Sequence, residues 1–110
     1  MLVYIDVNGY TDRHMTDPDV ALLTALADAT RLAIVRQLGA AGEGAVCACD
    51  FTECCSVSQP TISHHLRVLR EAGVLVSERQ GTNVLYSFAP GFRERFSAIG
   101  ASLTGLVQVA

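Results

Sequence analysis

The chain of 110 residues amounts to one domain by length; it is half apolar, and eleven acidic against eight basic side chains give it a net charge of −3. No apolar run reaches the ~18–20 residues that cross a bilayer, and Met1–Ile5 lacks a basic flank and is broken by Asp6, Asn8 and Gly9, so neither a membrane span nor a signal peptide is expected. A cytoplasmic location is expected, where thiols stay reduced, and four cysteines packed between Cys47 and Cys55 then favour metal or redox chemistry over a disulfide framework.

Residues 1–16 show no sustained period and are read as an N-terminal arm, with residues 17–110 as the folded domain. Asp17-Pro18 predicts a helix start, a capping carboxylate followed by proline in the first turn. Val20, Leu23 and Ala27, flanked by Leu22 and Leu26, are its expected apolar stripe. Asp28 caps a second helix with Leu32, Val35 and Leu38 inward, ended by Gly39 or Gly42. A short element crosses the cysteines, with Asp50 as a candidate cap, and Ser56-Val57 makes a turn. Ser58 then caps a helix with Pro60 in its first turn, Ile62, Leu66 and Leu69 on one face, and Gly73 as its stop. Val74–Val76 and Val84–Phe88 are β-branched and aromatic runs joined by a polar, glycine-containing segment, which reads as a hairpin. After Pro90-Gly91, Phe92, Phe96, Ile99, Leu103 and Leu106 recur at spacings of four and three, the seam of a long amphipathic helix.

Helix, helix, short element, helix, hairpin, helix is the layout of a mainly α (α+β) winged helix-turn-helix with a two-stranded β-hairpin wing. The apolar stripes of the first and last helices exceed what so small a middle can cover, so a homodimer through those two helices is expected. The charge is uneven. Residues 1–57 carry eight carboxylates against three arginines, whereas residues 58–110 carry five arginines against three glutamates. DNA affinity follows local positive charge, so the acidic total does not exclude double-stranded DNA as a partner.

On the helix that begins after Ser58, about 100° per residue puts Ser63, His64 and Arg67 opposite the Ile62–Leu66–Leu69 face, with Gln59 and Thr61 flanking the first turn. These five side chains can donate to base edges or phosphates in a major groove. Arg79 beside Gly81 places a cation on the wing. His65 falls nearer the buried seam and is expected to be a packed, hydrogen-bonded histidine. Each of these residues alone is equally compatible with an ordinary solvated face. An enzyme is not expected: the chain has no glycine-rich phosphate loop and no paired-carboxylate site.

Ser58–Gly73 (SQPTISHHLRVLREAG) closely resembles the recognition helix of ArsR/SmtB-type metalloregulatory repressors. Leu26–Val35 (LADATRLAIV) resembles their second-helix segment, and Arg79-Gln80-Gly81 through Tyr86 their wing. The resemblance spans about residues 18–96 and implies a homodimeric repressor that binds a roughly palindromic operator and releases it when metal binds. Cys47-Ala48-Cys49-Asp50-Phe51 resembles the Cys-Val-Cys-Asp-Leu box of the arsenic-responsive branch, which implies Cys47 and Cys49 as ligands of an As(III) or Sb(III) inducer. Thr52 stands where the best-known members carry a third cysteine, and Cys54-Cys55 follows instead, with Cys55 at a place usually held by a core leucine. Cys54 or Cys55 is left to supply the third thiolate. The zinc-site pattern of other members is absent, since residues 90–110 contain no His, Asp or Cys.

Trivalent arsenic and antimony take three soft thiolates, and thiolate donors select such ions over magnesium or calcium. On a regular helix Cys47 would share a face with Cys54, and roughly with Cys55, while Cys49 faced away. Three-thiol coordination therefore requires the start of the segment to be extended, or to distort on binding. Two other readings of the same residues are a thiol redox or persulfide-sensing repressor and a zinc-stabilised protein-interaction module. His14 is a further soft-ligand candidate by type.

Overall fold

The computed structural model describes residues 17–42, 44–51 and 56–106. The arm over residues 1–16, with His14, and Cys54 and Cys55 lie outside the described residues. The chain order is α1 (Pro18–Leu26), α2 (Ala29–Ala40), β1 (Val46–Cys47), a 3₁₀ turn (Ala48–Phe51), α3 (Gln59–Glu71), β2 (Leu75–Gln80), β3 (Asn83–Phe88) and α4 (Phe92–Thr104).

Three helix starts are set by the side chains that the sequence offers for them. Asp17 accepts the Asp19 amide at 2.9 Å and Asp28 the Arg31 amide at 3.0 Å. Ser58 Oγ accepts the Thr61 amide at 3.4 Å. Each satisfies one of the donors that a helix start leaves without a partner. Gly42 ends α2 with φ +81°, and Gly73 turns the chain out of α3 with φ +85°, both conformations that favour glycine.

The core forms where α1, α2 and α3 meet the sheet. Leu22, Ile34, Leu38, Phe51, Ile62, Leu66, Leu69, Val74 and Leu75 are essentially inaccessible. The α3 triad Ile62–Leu66–Leu69 alone contributes about 1.5–3 kcal/mol per side chain. That face was correctly phased by the sequence, but the face of α1 was not. Leu22 and Ala25 are buried there and Leu23 is 37% exposed, because a helix apolar on nearly every side gives the period no phase. In α2, Ile34 joins Leu38 in the core, while Leu32 and Val35 are half-buried.

β2 and β3 pair antiparallel from Leu75↔Phe88 to Gln80↔Asn83, so the loop shrinks to Gly81-Thr82 and the wing is longer than the apolar runs indicated. A third strand also joins the sheet. β1 pairs with β3 through Val46↔Tyr86 and Cys47↔Leu85, giving the order β1-β3-β2. α4 runs only to Thr104, with Gly105 at φ +73° closing it, so Leu106 lies beyond the helix rather than in its seam. Arg95 of α4 donates to the Pro18 carbonyl at 3.2 Å and lies 3.8 Å from Asp19, which ties α4 back to α1.

Candidate nucleic-acid interface and thiol turn

α3 buries one stripe and presents the other. Gln59, Thr61, Ser63, His64 and Arg67 are all exposed, with Ser63, His64 and Arg67 on the side opposite the core triad and Gln59 and Thr61 in the first turn. Ser63, His64 and Arg67, with Pro60, line a shallow groove of about 330 Å³. Arg67 donates through Nη2 to His64 Nδ1 at 3.4 Å, so the two side chains form one donor-bearing unit. The Thr61 hydroxyl lies 3.0 Å from Ser58 Oγ and belongs to the helix cap as much as to the surface. Arg79 is exposed on β2, next to the Gly81-Thr82 loop of the wing.

His65 points the other way, with its side chain 14% exposed. Arg31 Nη1 donates to His65 Nδ1 at 3.1 Å. Because a guanidinium can only donate, Nδ1 accepts and the neutral ring carries its proton on Nε2. Arg31 also donates from Nε to the Ala25 carbonyl at 2.6 Å, and Asp28 Oδ2 stands 3.9 Å from His65 Nδ1. The Arg31 amide hydrogen bond holds the Asp28 carboxyl below its usual range against partial burial, and the Arg31 charge adds to this lowering. Sequence reasoning placed His65 near the core but missed Arg31 as its partner. Only the packing of two distant helices could reveal that pair.

The cysteine segment starts extended and then tightens. Cys47 closes β1 and Cys49 sits in the 3₁₀ turn; the first is half-buried and the second exposed. The Cys49 amide donates to Cys47 Sγ at 3.4 Å, and the Cys49 thiol reaches Asp50 Oδ1 at 3.8 Å. A hydrogen bond with the Cys47 side chain is the main cause that pushes the Cys49 thiol up to about 11, helped by desolvation and the nearby Asp50 charge. The two thiols expected to act together are therefore neighbours. Asp50 lies inside the 3₁₀ turn, which begins at Ala48, rather than at its cap. Phe51 anchors the turn, fully buried and edge-on to Tyr86 at 6.5 Å. On the other side Gln37 of α2 donates from Nε2 to the Asp50 carbonyl at 3.3 Å. Among the described residues no three His, Cys, Asp or Glu side chains gather as a metal-holding group.

A helix-turn-helix domain model matches residues 26–78, which span α2 through the thiol turn and α3 into the wing. An arsenic resistance transcriptional regulator of Pseudomonas putida is 42% identical over 100 residues, covering 91% of this chain and 73% of that protein. The arsenical resistance operon repressor of Escherichia coli is 45% identical over 71 residues, covering 64% of this chain and 59% of the repressor. An SmtB-named repressor of Mycobacterium tuberculosis is 42% identical over 77 residues, 70% of this chain and 55% of its own length. The chain thus spans little more than half of the last two relatives. Among solved structures, a possible transcriptional regulator for arsenical resistance superposes with a TM-score of 0.67 at 28% identity, over 76% of this chain and 83% of its own. A homodimeric winged helix-turn-helix domain from Mycobacterium bovis gives 0.65 at 24% identity, over 88% and 89%. Fold and relatives together define a winged helix-turn-helix regulator rather than an enzyme. The chain belongs to the ArsR/SmtB family of transcriptional repressors.

Proposed function

We propose that this chain is a homodimeric repressor that binds operator DNA through α3 and the wing and is released by trivalent arsenic or antimony held on cysteine thiolates. Cys47, Cys49 and one of Cys54 or Cys55 are the ligands. Gln59, Thr61, Ser63, His64, Arg67 and Arg79 face the DNA. The observation that carries this reading is the adjacency of the Cys47 and Cys49 thiols on a turn that precedes the DNA-reading helix in the chain. Dimerisation draws on α1 and α4, where Leu23 and Phe96 are 37% and 45% exposed and Leu103 is 74% exposed. The described helices include none long and apolar enough to cross a membrane, in keeping with a cytoplasmic regulator.

The environment of the Cys49 thiol bears on the competing inducers. A thiol pushed up to about 11 is protonated at neutral pH and makes a poor nucleophile, which disfavours a redox or persulfide sensor at Cys49. Arsenite is As(OH)₃, and it condenses with a thiol by exchanging an As–O bond for an As–S bond. The thiol proton leaves with the hydroxide as water, so no proton is released. A divalent cation must instead expel the proton to solution. The test is fluorescence anisotropy on a duplex that the protein enriches from a randomised pool, with arsenite, antimonite, cadmium, zinc and peroxide titrated in turn. Arsenite should dissociate the complex, and Cys47→Ser should abolish the response. If arsenite leaves the reduced wild-type complex intact, the proposed function is wrong.

A further inference from the structure

We propose that Gln37 is the positioning residue that couples the thiol turn to the DNA-reading helix, acting through α2 and the Arg31–His65 contact. The inference rests on the inducer reading above and deepens it by giving α2 a part in the release. At one end, the Gln37 Nε2 amide holds the Asp50 carbonyl at 3.3 Å, immediately after Cys49. The other amide atom, Gln37 Oε1, is buried without a hydrogen-bond partner. Native proteins leave few such atoms, and each calls for a reason. Here the side chain tolerates one unsatisfied end in order to hold the turn with the other.

Six residues earlier, about 9 Å along the same helix, Arg31 donates to His65 of α3 at 3.1 Å. The Asp28 carboxylate beside it caps α2 and stands 3.9 Å from the same ring nitrogen. α2 is a continuous 12-residue helix with Ile34 fully buried between these two contacts and Leu38 just beyond them, so it moves as a rod rather than bending. In this proposal, an inducer held on Cys47 and Cys49 reshapes the turn that carries them. The Asp50 carbonyl then either leaves Gln37, stranding both ends of a half-buried amide, or drags α2 and the Arg31–His65 contact with it. The second outcome, which an intact Gln37 enforces, gives the thiol-bound state a different α3 seating, the differential interaction that an inducer requires.

The experiment measures two equilibria on the full chain: arsenite binding, by thiolate-to-arsenic absorbance, and affinity for the enriched duplex with and without arsenite. Wild-type release is expected at about 5–150-fold. Gln37→Met keeps the length of the side chain and loses the amide. It should bind arsenite and, without arsenite, DNA within about threefold of wild type, while the release factor falls to less than a third of the wild-type value. His65→Leu, which removes the acceptor for Arg31, should reduce release similarly, and His65→Gln, which retains one, should restore it. The double variant should lose no more than the worse single one, as expected for two links in one line. Release by Gln37→Met within twofold of wild type overturns the coupling role and leaves the inducer reading standing. A wild-type complex indifferent to arsenite overturns both. If Gln37→Met unfolds, as read by circular dichroism, the His65 pair decides: equal release by His65→Leu and wild type overturns the proposal.

Discussion

The Cys49 thiol gives the clearest separation between inducers, because its proton must go somewhere when a ligand binds. The fold raises it from an ordinary 9.0 to about 11, so the protonated form is favoured at every pH below that value, and the preference is lost only as pH rises through it. Between pH 6 and 8 the group stays protonated. A divalent ion that binds Cys49 therefore expels one proton from it, and its affinity should rise about tenfold per pH unit through this thiol alone, about 100-fold across the window. Arsenite takes the same proton away as water, and its affinity through Cys49 should stay flat. The assay is the arsenite and cadmium midpoint for DNA release at pH 6, 7 and 8, with protons counted by calorimetry in two buffers of different ionisation enthalpy. Cys49→Ser should lower the cadmium slope by one proton. Equal pH slopes for arsenite and cadmium would refute the argument, since they would mean that the thiol proton is not the distinguishing quantity.

Other residues give further expectations. Leu66→Ala empties a fully buried site under the DNA-reading helix and should cost about 2–5 kcal/mol in urea denaturation. Arg67→Ala should weaken binding to the enriched duplex and relax discrimination at one base position by about 1–3 kcal/mol, or else lower the salt slope uniformly if its contact is to phosphate; wild-type affinity would remove Arg67 from the interface. Asp28→Ala should destabilise the fold by about 1 kcal/mol near pH 7 through loss of the α2 cap, whereas Asp28→Asn should retain most of that stability. The Asp28 carboxyl is held below 3.8, so its contribution is full above that pH and fades as pH falls through the lowered value, which denaturation at pH 7 and pH 3 compares. Leu103→Glu on the exposed α4 stripe should shift the chain toward monomer in sedimentation and reduce DNA affinity with it.

What the sequence alone determined is what depends on neighbours along the chain. Asp17, Asp28 and Ser58 cap their helices, Gly42 and Gly73 end theirs, and the hairpin turns at Gly81, because each choice is made by a side chain or a φ angle within a few residues. The buried stripe of α3 was legible for the same reason: polar residues on its other face give the period a phase. The tertiary structure decided whatever needs two distant segments. β1 exists only because β3 offers it an edge, and Tyr86 and Leu85 lie some forty residues from their partners Val46 and Cys47. The burial of Leu22 and Ala25 rather than Leu23 in α1 was settled by the helices it packs against. The links from Gln37 to Asp50 and from Arg31 to His65 join polar residues with no periodic signature, so no local pattern announces them. The pairing of Cys47 with Cys49 stands between these cases. Their spacing is plain in the sequence, but it took a strand ending in a 3₁₀ turn to bring two thiols, two residues apart, to the same place.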